Sequence, residues 1–114
     1  MRYADNYYYN RRTPPRWANL SFSDLVHAAG NWTFNAMQAL FKQGTLPTTV
    51  QIGNEIDCGL FHPWTGTSCS TGAEVCNCKN NWKNLAAVIN AGYRAVKQVN
   101  PDAEVIIFLF GTSQ

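Results

Sequence analysis

An alternation of two hydrophobic periods runs through the sequence and decides what it can fold into. From about Ser23 to Gln43 the apolar residues Leu25, Val26, Ala29, Trp32, Ala36, Met37, Leu40 and Phe41 recur at the spacing of one helix face. Ser21, with Asp24 three residues on, predicts the helix start, and Gly44 the stop. Pro47 to Ile52 reads as a short strand, because Thr48-Thr49-Val50-Gln51-Ile52 is rich in β-formers and Gly53 ends it. A second helix is predicted from about Asn80 to Val99, with Trp82, Leu85, Ala86, Ile89, Tyr93 and Val96 on its apolar face. Asn100-Pro101-Asp102 breaks it. Ala103 to Phe110 follows as a near-continuous apolar strand, the pattern of a strand covered on both faces. The tyrosine-rich residues 1–9 fit the end of a further strand, and Pro14 and Pro15 make 10–17 a loop.

Strand-end, helix, strand, helix, strand predicts an α/β fold with about three parallel strands and two helices, joined by right-handed crossovers. With 114 residues the chain has room for a single unit, 1–114. Such a sheet leaves two edges open, so self-association or further strands are expected partners. Charged residues are 14% and aromatic residues 13%, which excludes a disordered tail and a coiled coil. No apolar run reaches about 18 residues, so no membrane span is expected. A net charge of +2 gives no footprint for nucleic acid.

The stretch 53–79 is irregular and bears cysteines over 56–79, longer than most connections and hence a candidate for function. Cys58, Cys69, Cys76 and Cys78 lack the C-x2–4-C knuckle of a zinc site, so two disulfides are the expectation. A Cys76–Cys78 ring is too tight. That leaves Cys58–Cys76 with Cys69–Cys78, or Cys58–Cys78 with Cys69–Cys76. Disulfides and the sequons at Asn19 and Asn31 suggest an extracellular protein, although Met1 to Asp5 reads as no signal peptide.

In parallel α/β folds the chemistry collects at the carboxyl ends of the strands. Asn54-Glu55 stands at such an end. A carboxyl there is placed for general acid/base work, and an adjacent amide for bonding a sugar hydroxyl. Taken alone, the dipeptide reads first as a solvated turn.

Its surroundings are more specific. Val50-Gln51-Ile52-Gly53-Asn54-Glu55-Ile56, followed by Gly59-Leu60-Phe61-His62-Pro63, resembles glycoside hydrolase family 53, the arabinogalactan endo-β-1,4-galactanases, with their V-Q-I-G-N-E-I and G-L-L-W-P segments. Tyr3, Asp5, Pro14 and Trp17 are similar to the family's H-Y-S-D … P-x-x-W stretch, and Asn31-Trp32-Thr33 to its Y-N-Y-T segment. Asn81 to Ala86, Ala91-Gly92 and Pro101-Asp102-Ala103 fit the helix and strand that follow. The resemblance implies a partial (β/α)8 TIM-type barrel, from the end of strand three through strand five, since a whole barrel needs about 250 residues. It also implies a retaining hydrolase of β-1,4-galactosidic bonds, with galactan-type polysaccharide as partner, Glu55 as acid/base and Asn54 on the sugar. The family's nucleophile lies on a later strand. Arg2, Tyr7 to Tyr9, His62, Phe108 and Phe110 stand where the family has other residues.

Retention needs two carboxyls about 5–5.5 Å apart. Of seven acidic residues, Asp102 and Glu104 precede the last strand on the wrong side and Asp24 starts a helix. Asp5 is the best placed of the rest, and reads first as an orienting acceptor. His62 is open to a sugar contact or a turn role beside Pro63. Trp64 is open to stacking on sugar or covering apolar surface. No metal-ligand motif stands out and no cofactor is called for. The chain thus holds half of a catalytic pair, and the alternative is an inactive remnant that binds glycan or serves assembly.

Overall fold

A computed structural model describes residues 13–56, 59–61, 75 and 82–109. The predicted strand-end at 1–9, most of the cysteine loop and Phe110 lie outside the described residues. Among them the order is a 3-10 turn (Pro15–Trp17), α1 (Phe22–Lys42), β1 (Thr49–Gln51), α2 (Trp82–Val99) and β2 (Glu104–Ile106). β1 and β2 pair in parallel, with Thr49 opposite Glu104, Val50 opposite Val105 and Gln51 opposite Ile106. No helix among the described residues is long and apolar enough to cross a membrane.

Both ends of α1 form where the sequence says they should. Ser21 is the N-cap: its Oγ accepts from the Asp24 amide at 3.1 Å and its hydroxyl donates to Asp24 Oδ2 at 2.8 Å. At the other end Gly44 takes φ +75. The Gly44 amide donates to the Phe41 carbonyl and the Thr45 amide to that of Leu40, the paired bonds of a Schellman stop.

The buried faces differ from the expected ones. On α1 the buried residues are Leu25, Ala29, Thr33 and Met37, a stripe of period four, while Trp32 and Phe41 are exposed. Thr33 belongs in that stripe because its hydroxyl donates to the Ala29 carbonyl at 2.8 Å, which satisfies it inside the core. On α2 the buried set is Leu85, Val88, Gly92, Ala95 and Val96, whereas Trp82, Ala86 and Tyr93 face outward. The physical reason is close helix packing. α1 and α2 lie against each other, and a Cβ added at Gly30 would sit 3.5 Å from that of Ala91. Small residues let the backbones approach, and large aromatics are turned out of the seam.

The core has two parts. One gathers Leu25, Ala29, Ile52, Ile56, Leu60, Phe61, Val75, Leu85 and Val88 beneath the carboxyl end of β1. The other gathers Met37, Val50, Val96 and Ala103 at the opposite end, and Val105 packs against both. There the turn into β2 is fixed to the start of β1: Asn100 Nδ2 donates to the Pro47 carbonyl at 3.0 Å, and Lys97 Nζ donates to the carbonyls of Pro101 and Ala103.

The expectation for 103–110 is corrected in one respect. Only Glu104–Ile106 is regular strand, and Ile106, Ile107, Phe108 and Leu109 are each exposed rather than covered. Among the described residues no element lies over them. Ridding the core of Met37 should therefore matter far more than removing the exposed Phe41, although both sit at helical spacing. Met37→Ala is expected to cost about 2–5 kcal/mol, and Phe41→Ala to stay within about 0.5 kcal/mol. Urea unfolding midpoints at unchanged slope measure both, and comparable losses would sink the assignment of the buried face.

Candidate active site at the carboxyl end of the first strand

The parallel ladder breaks immediately after β1. The Ile52 amide donates to the Ile106 carbonyl at 2.9 Å, and the next ladder bond runs from the Ile56 amide to the Phe108 carbonyl at 3.3 Å. In an unbroken parallel ladder the second bond belongs to the residue two after the first. Here it belongs to the residue four after, so Gly53 to Glu55 form an arch with two residues more than the ladder accommodates. The feet of the arch, Ile52 and Ile56, are fully buried. Asn54 and Glu55 ride on its crest and are half-buried.

Closing so short an arch requires unusual backbone. Gly53 has φ +73 and Glu55 has φ +50. For a residue with a Cβ the left-handed region costs on the order of 1–2 kcal/mol, and it persists only where the surroundings impose it. Here the two ladder bonds and the buried isoleucines impose it. Side-chain bonds add to this: Gln51 Nε2 donates to the Gly53 carbonyl at 2.7 Å and to Asn54 Oδ1 at 3.2 Å.

Beyond the arch the chain is pinned back onto the core. The Gly59 amide donates to the Ile56 carbonyl and the Leu60 amide to that of Val75. Phe61, also left-handed at φ +58, is held by two contacts from before α1. The Thr13 hydroxyl donates to its carbonyl at 2.8 Å, and the Trp17 ring meets its ring edge-on, centroids 5.6 Å apart. The 13–17 segment therefore backs the loop that follows Glu55.

Of the residues singled out from sequence, Asn54 and Glu55 come together at the strand end. Asp5, His62, Trp64, Cys58, Cys69, Cys76 and Cys78 lie outside the described residues, so the disulfide pairing and the second carboxylate do too. Asn19 and Asn31 carry exposed side chains, Asn31 on α1. Glu104 opens β2 opposite Thr49, at the other end of the sheet from Glu55, and Asp24 lies in the first turn of α1, bonded to the Ser21 cap. Among the described residues no three His, Cys, Asp or Glu side chains gather as a metal site would require. An open groove of about 480 Å³ lined by Ala36, Leu40, Pro47 and Thr49 lies at the start of β1, away from Glu55. The sequence places Gln51 in the strand and in the Val50-to-Ile56 segment, with no role of its own. A polar side chain between the buried Val50 and Ile52, two residues before Gly-Asn-Glu, was the signal available.

Known proteins resemble the chain along nearly its whole length. The family model described as Glycosyl hydrolase family 53 matches residues 2–114. The chain is similar to the GH53 catalytic domain of Ignisphaera aggregans, with 37% identity and a TM-score of 0.69 over 86% of this chain and 24% of that one. It is likewise similar to a fungal β-1,4-galactanase structure, with 28% identity and a TM-score of 0.70 over 95% of this chain and 30% of that one. An arabinogalactan endo-β-1,4-galactanase of Humicola insolens is 28% identical over 102 residues, 88% of this chain and 27% of its own length. The chain spans about a quarter of the length of these relatives.

The arch also generates a stability contrast between two glycines. A Cβ at Gly53 would lie 2.5 Å from Ile56 Cγ2, whereas one at Gly44 meets nothing within 4 Å, at nearly the same φ. Gly44→Ala is expected to cost about 1 kcal/mol, the conformational penalty alone. Gly53→Ala adds a clash with a fully buried side chain and is expected to cost about 1–3 kcal/mol more. Equal midpoints in thermal or urea unfolding would refute the close packing of the arch on Ile56.

Proposed function

The chain belongs to glycosyl hydrolase family 53, and from that membership we propose that it supplies the acid/base side of a site that hydrolyses internal β-1,4-galactosidic bonds of galactan or arabinogalactan. The observation that carries the reading is the arch: it raises Asn54 and the left-handed Glu55 out of the ladder at the carboxyl end of a parallel strand. That is where the chemistry of such folds resides. The names of the galactanase relatives support the substrate class.

In this reading Glu55 gives its proton to the glycosidic oxygen as the bond to the anomeric carbon breaks. A second carboxylate, from outside the described residues, attacks that carbon on its other face. Glu55 then takes a proton from water, whose oxygen displaces the enzyme carboxylate, and the anomeric configuration is retained. Asn54 donates to a hydroxyl of the sugar being cleaved. Carboxyl groups and water suffice for this chemistry, with galactan as the partner. The exposed sequon asparagines, Asn19 and Asn31, are compatible with an extracellular setting for such a polymer.

A second reading, an inactive module that binds glycan or serves assembly, is favoured by one observation, the exposed strip Ile106 to Leu109. Light scattering on the purified chain tests it, and a monomer at all concentrations would remove the basis for assembly.

The catalytic reading is tested in a barrel that supplies the remaining strands, with residues 2–114 replacing the matching segment of the Ignisphaera aggregans domain. Reducing-sugar release from β-1,4-galactan is expected to fall by about 10²–10⁴ in Glu55→Gln. Aryl galactosides whose leaving group needs no proton should lose far less in their first step. A chimaera that melts cooperatively yet releases no sugar would overturn the reading, as would full activity in Glu55→Gln.

A further inference from the structure

A backbone carbonyl decides which way the Asn54 amide faces. The two ends of a Gln or Asn amide are alike in shape, so their orientation follows from their partners. The Gly53 carbonyl oxygen can only accept. The Gln51 atom 2.7 Å from it is therefore the donor Nε2. Nε2 carries a second hydrogen, and the Asn54 atom 3.2 Å away must accept it, which makes that atom Oδ1. Asn54 Nδ2 is thereby turned away from Gln51, and among the described residues nothing accepts from it.

We infer that Gln51 is a positioning residue, which reads the polarity of the Gly53 carbonyl and holds Asn54 so that the site presents a hydrogen-bond donor to a sugar hydroxyl. The inference rests on the reading of Asn54 and Glu55 as a sugar-cleaving site. Gln51 is suited to the task. It lies at the end of β1, half-buried, in register with Ile106 and between the buried Val50 and Ile52, so its stem is fixed by the sheet. Gly53 is suited as well, because it is buried, left-handed and held between the ladder bonds of Ile52 and Ile56. The relay runs from a carbonyl that cannot change polarity, through one amide, to a second amide facing outward. Reversing the first step should reverse the last.

Gln51→Glu keeps the shape but loses the bond to the Gly53 carbonyl, since neither oxygen can donate, and it offers Asn54 an acceptor where Nε2 donated. Gln51→Met removes the donor without supplying an acceptor. In the 15N-labelled 114-residue chain, the Asn54 side-chain amide protons are expected to exchange with water about as fast as those of an exposed asparagine. In Gln51→Glu they should exchange roughly tenfold more slowly, because Nδ2 now donates to the introduced carboxylate, while Gln51→Met should leave them fast. Slow exchange in the wild type, or unchanged exchange in Gln51→Glu, would overturn the inference. The wild-type measurement decides even where Gln51→Glu fails to fold. In the galactan assay, Gln51→Glu is expected to lower kcat/KM about 10- to 100-fold, more than Gln51→Met, and by less than about threefold in an Asn54→Ala background. Equal losses in both backgrounds would mean that Gln51 supports the arch and does not act through Asn54. Correct amide exchange with no galactan hydrolysis by the unsubstituted, cooperatively melting chimaera would leave the orientation standing and sink the reading of the site.

Discussion

The parallel pairing of β1 with β2 is the constraint on which the rest depends. It continues past the regular strands, and its last two bonds, to the Ile106 and Phe108 carbonyls, are separated by three residues on one side and by one on the other. The surplus has to leave the sheet. It leaves at Gly53, the one position where a positive φ carries no steric cost and where any side chain would strike Ile56. Burial of Ile52 and Ile56 stabilises the two feet by about 1.5–3 kcal/mol each, which offsets the left-handed conformation of Glu55. An acidic residue is thus held at one place on the strand end by apolar anchors on both sides of it, and the unusual backbone persists because it is over-determined.

The helices make that arrangement rigid. α1 and α2 meet along small residues, and the larger core cluster sits between them and the arch. Leu60, Phe61 and Val75, from the stretch after Glu55, join the same cluster, so the loop is bound to the elements that support the strand. Thr13 and Trp17 add a clasp from before α1. A site carried on a strand end and braced by a helix pair keeps its geometry better than one on a free loop.

The element order was legible because it rests on periodicity, and both ends of α1 were legible because Ser21 and Gly44 each act through local bonds. The membership of the helix faces was less so. Trp32, Phe41, Trp82 and Tyr93 are apolar at helical spacing, yet they face outward, while Gly30 meets Ala91 where the helices approach. Thr33 went the other way, since its hydroxyl finds a carbonyl within its own helix. At the site, Asn54 and Glu55 were readable from the residues around them. The left-handed turn at Glu55 was not, because it follows from a mismatch of register between two segments distant in sequence, 52–56 and 106–108. Gln51 was hidden for the same reason: its role depends on where the Gly53 carbonyl points, and composition carries no trace of that.

The strip Ile106 to Leu109 joins the sheet argument to the chemical one. Its sequence is that of a strand covered on both faces, and its charge-free edge lacks the lysines and prolines with which edge strands resist pairing. Yet all four side chains are exposed. In the proposed reading Glu55 is in a comparable position, because retaining hydrolysis requires a second carboxylate and, among the described residues, Asp24, Asp102 and Glu104 all lie elsewhere. Both demands have one physical answer. Further β/α units beside β2 would pair its open edge, pack over the faces of the apolar strip and, by the rule that such strands deliver their functional residues at their carboxyl ends, place new side chains at the same end of the sheet as Glu55. Cover for the strip and completion of the carboxyl pair are therefore coupled. In the proposed reading, the open side of β2 is the side across which the carboxyl pair would be completed.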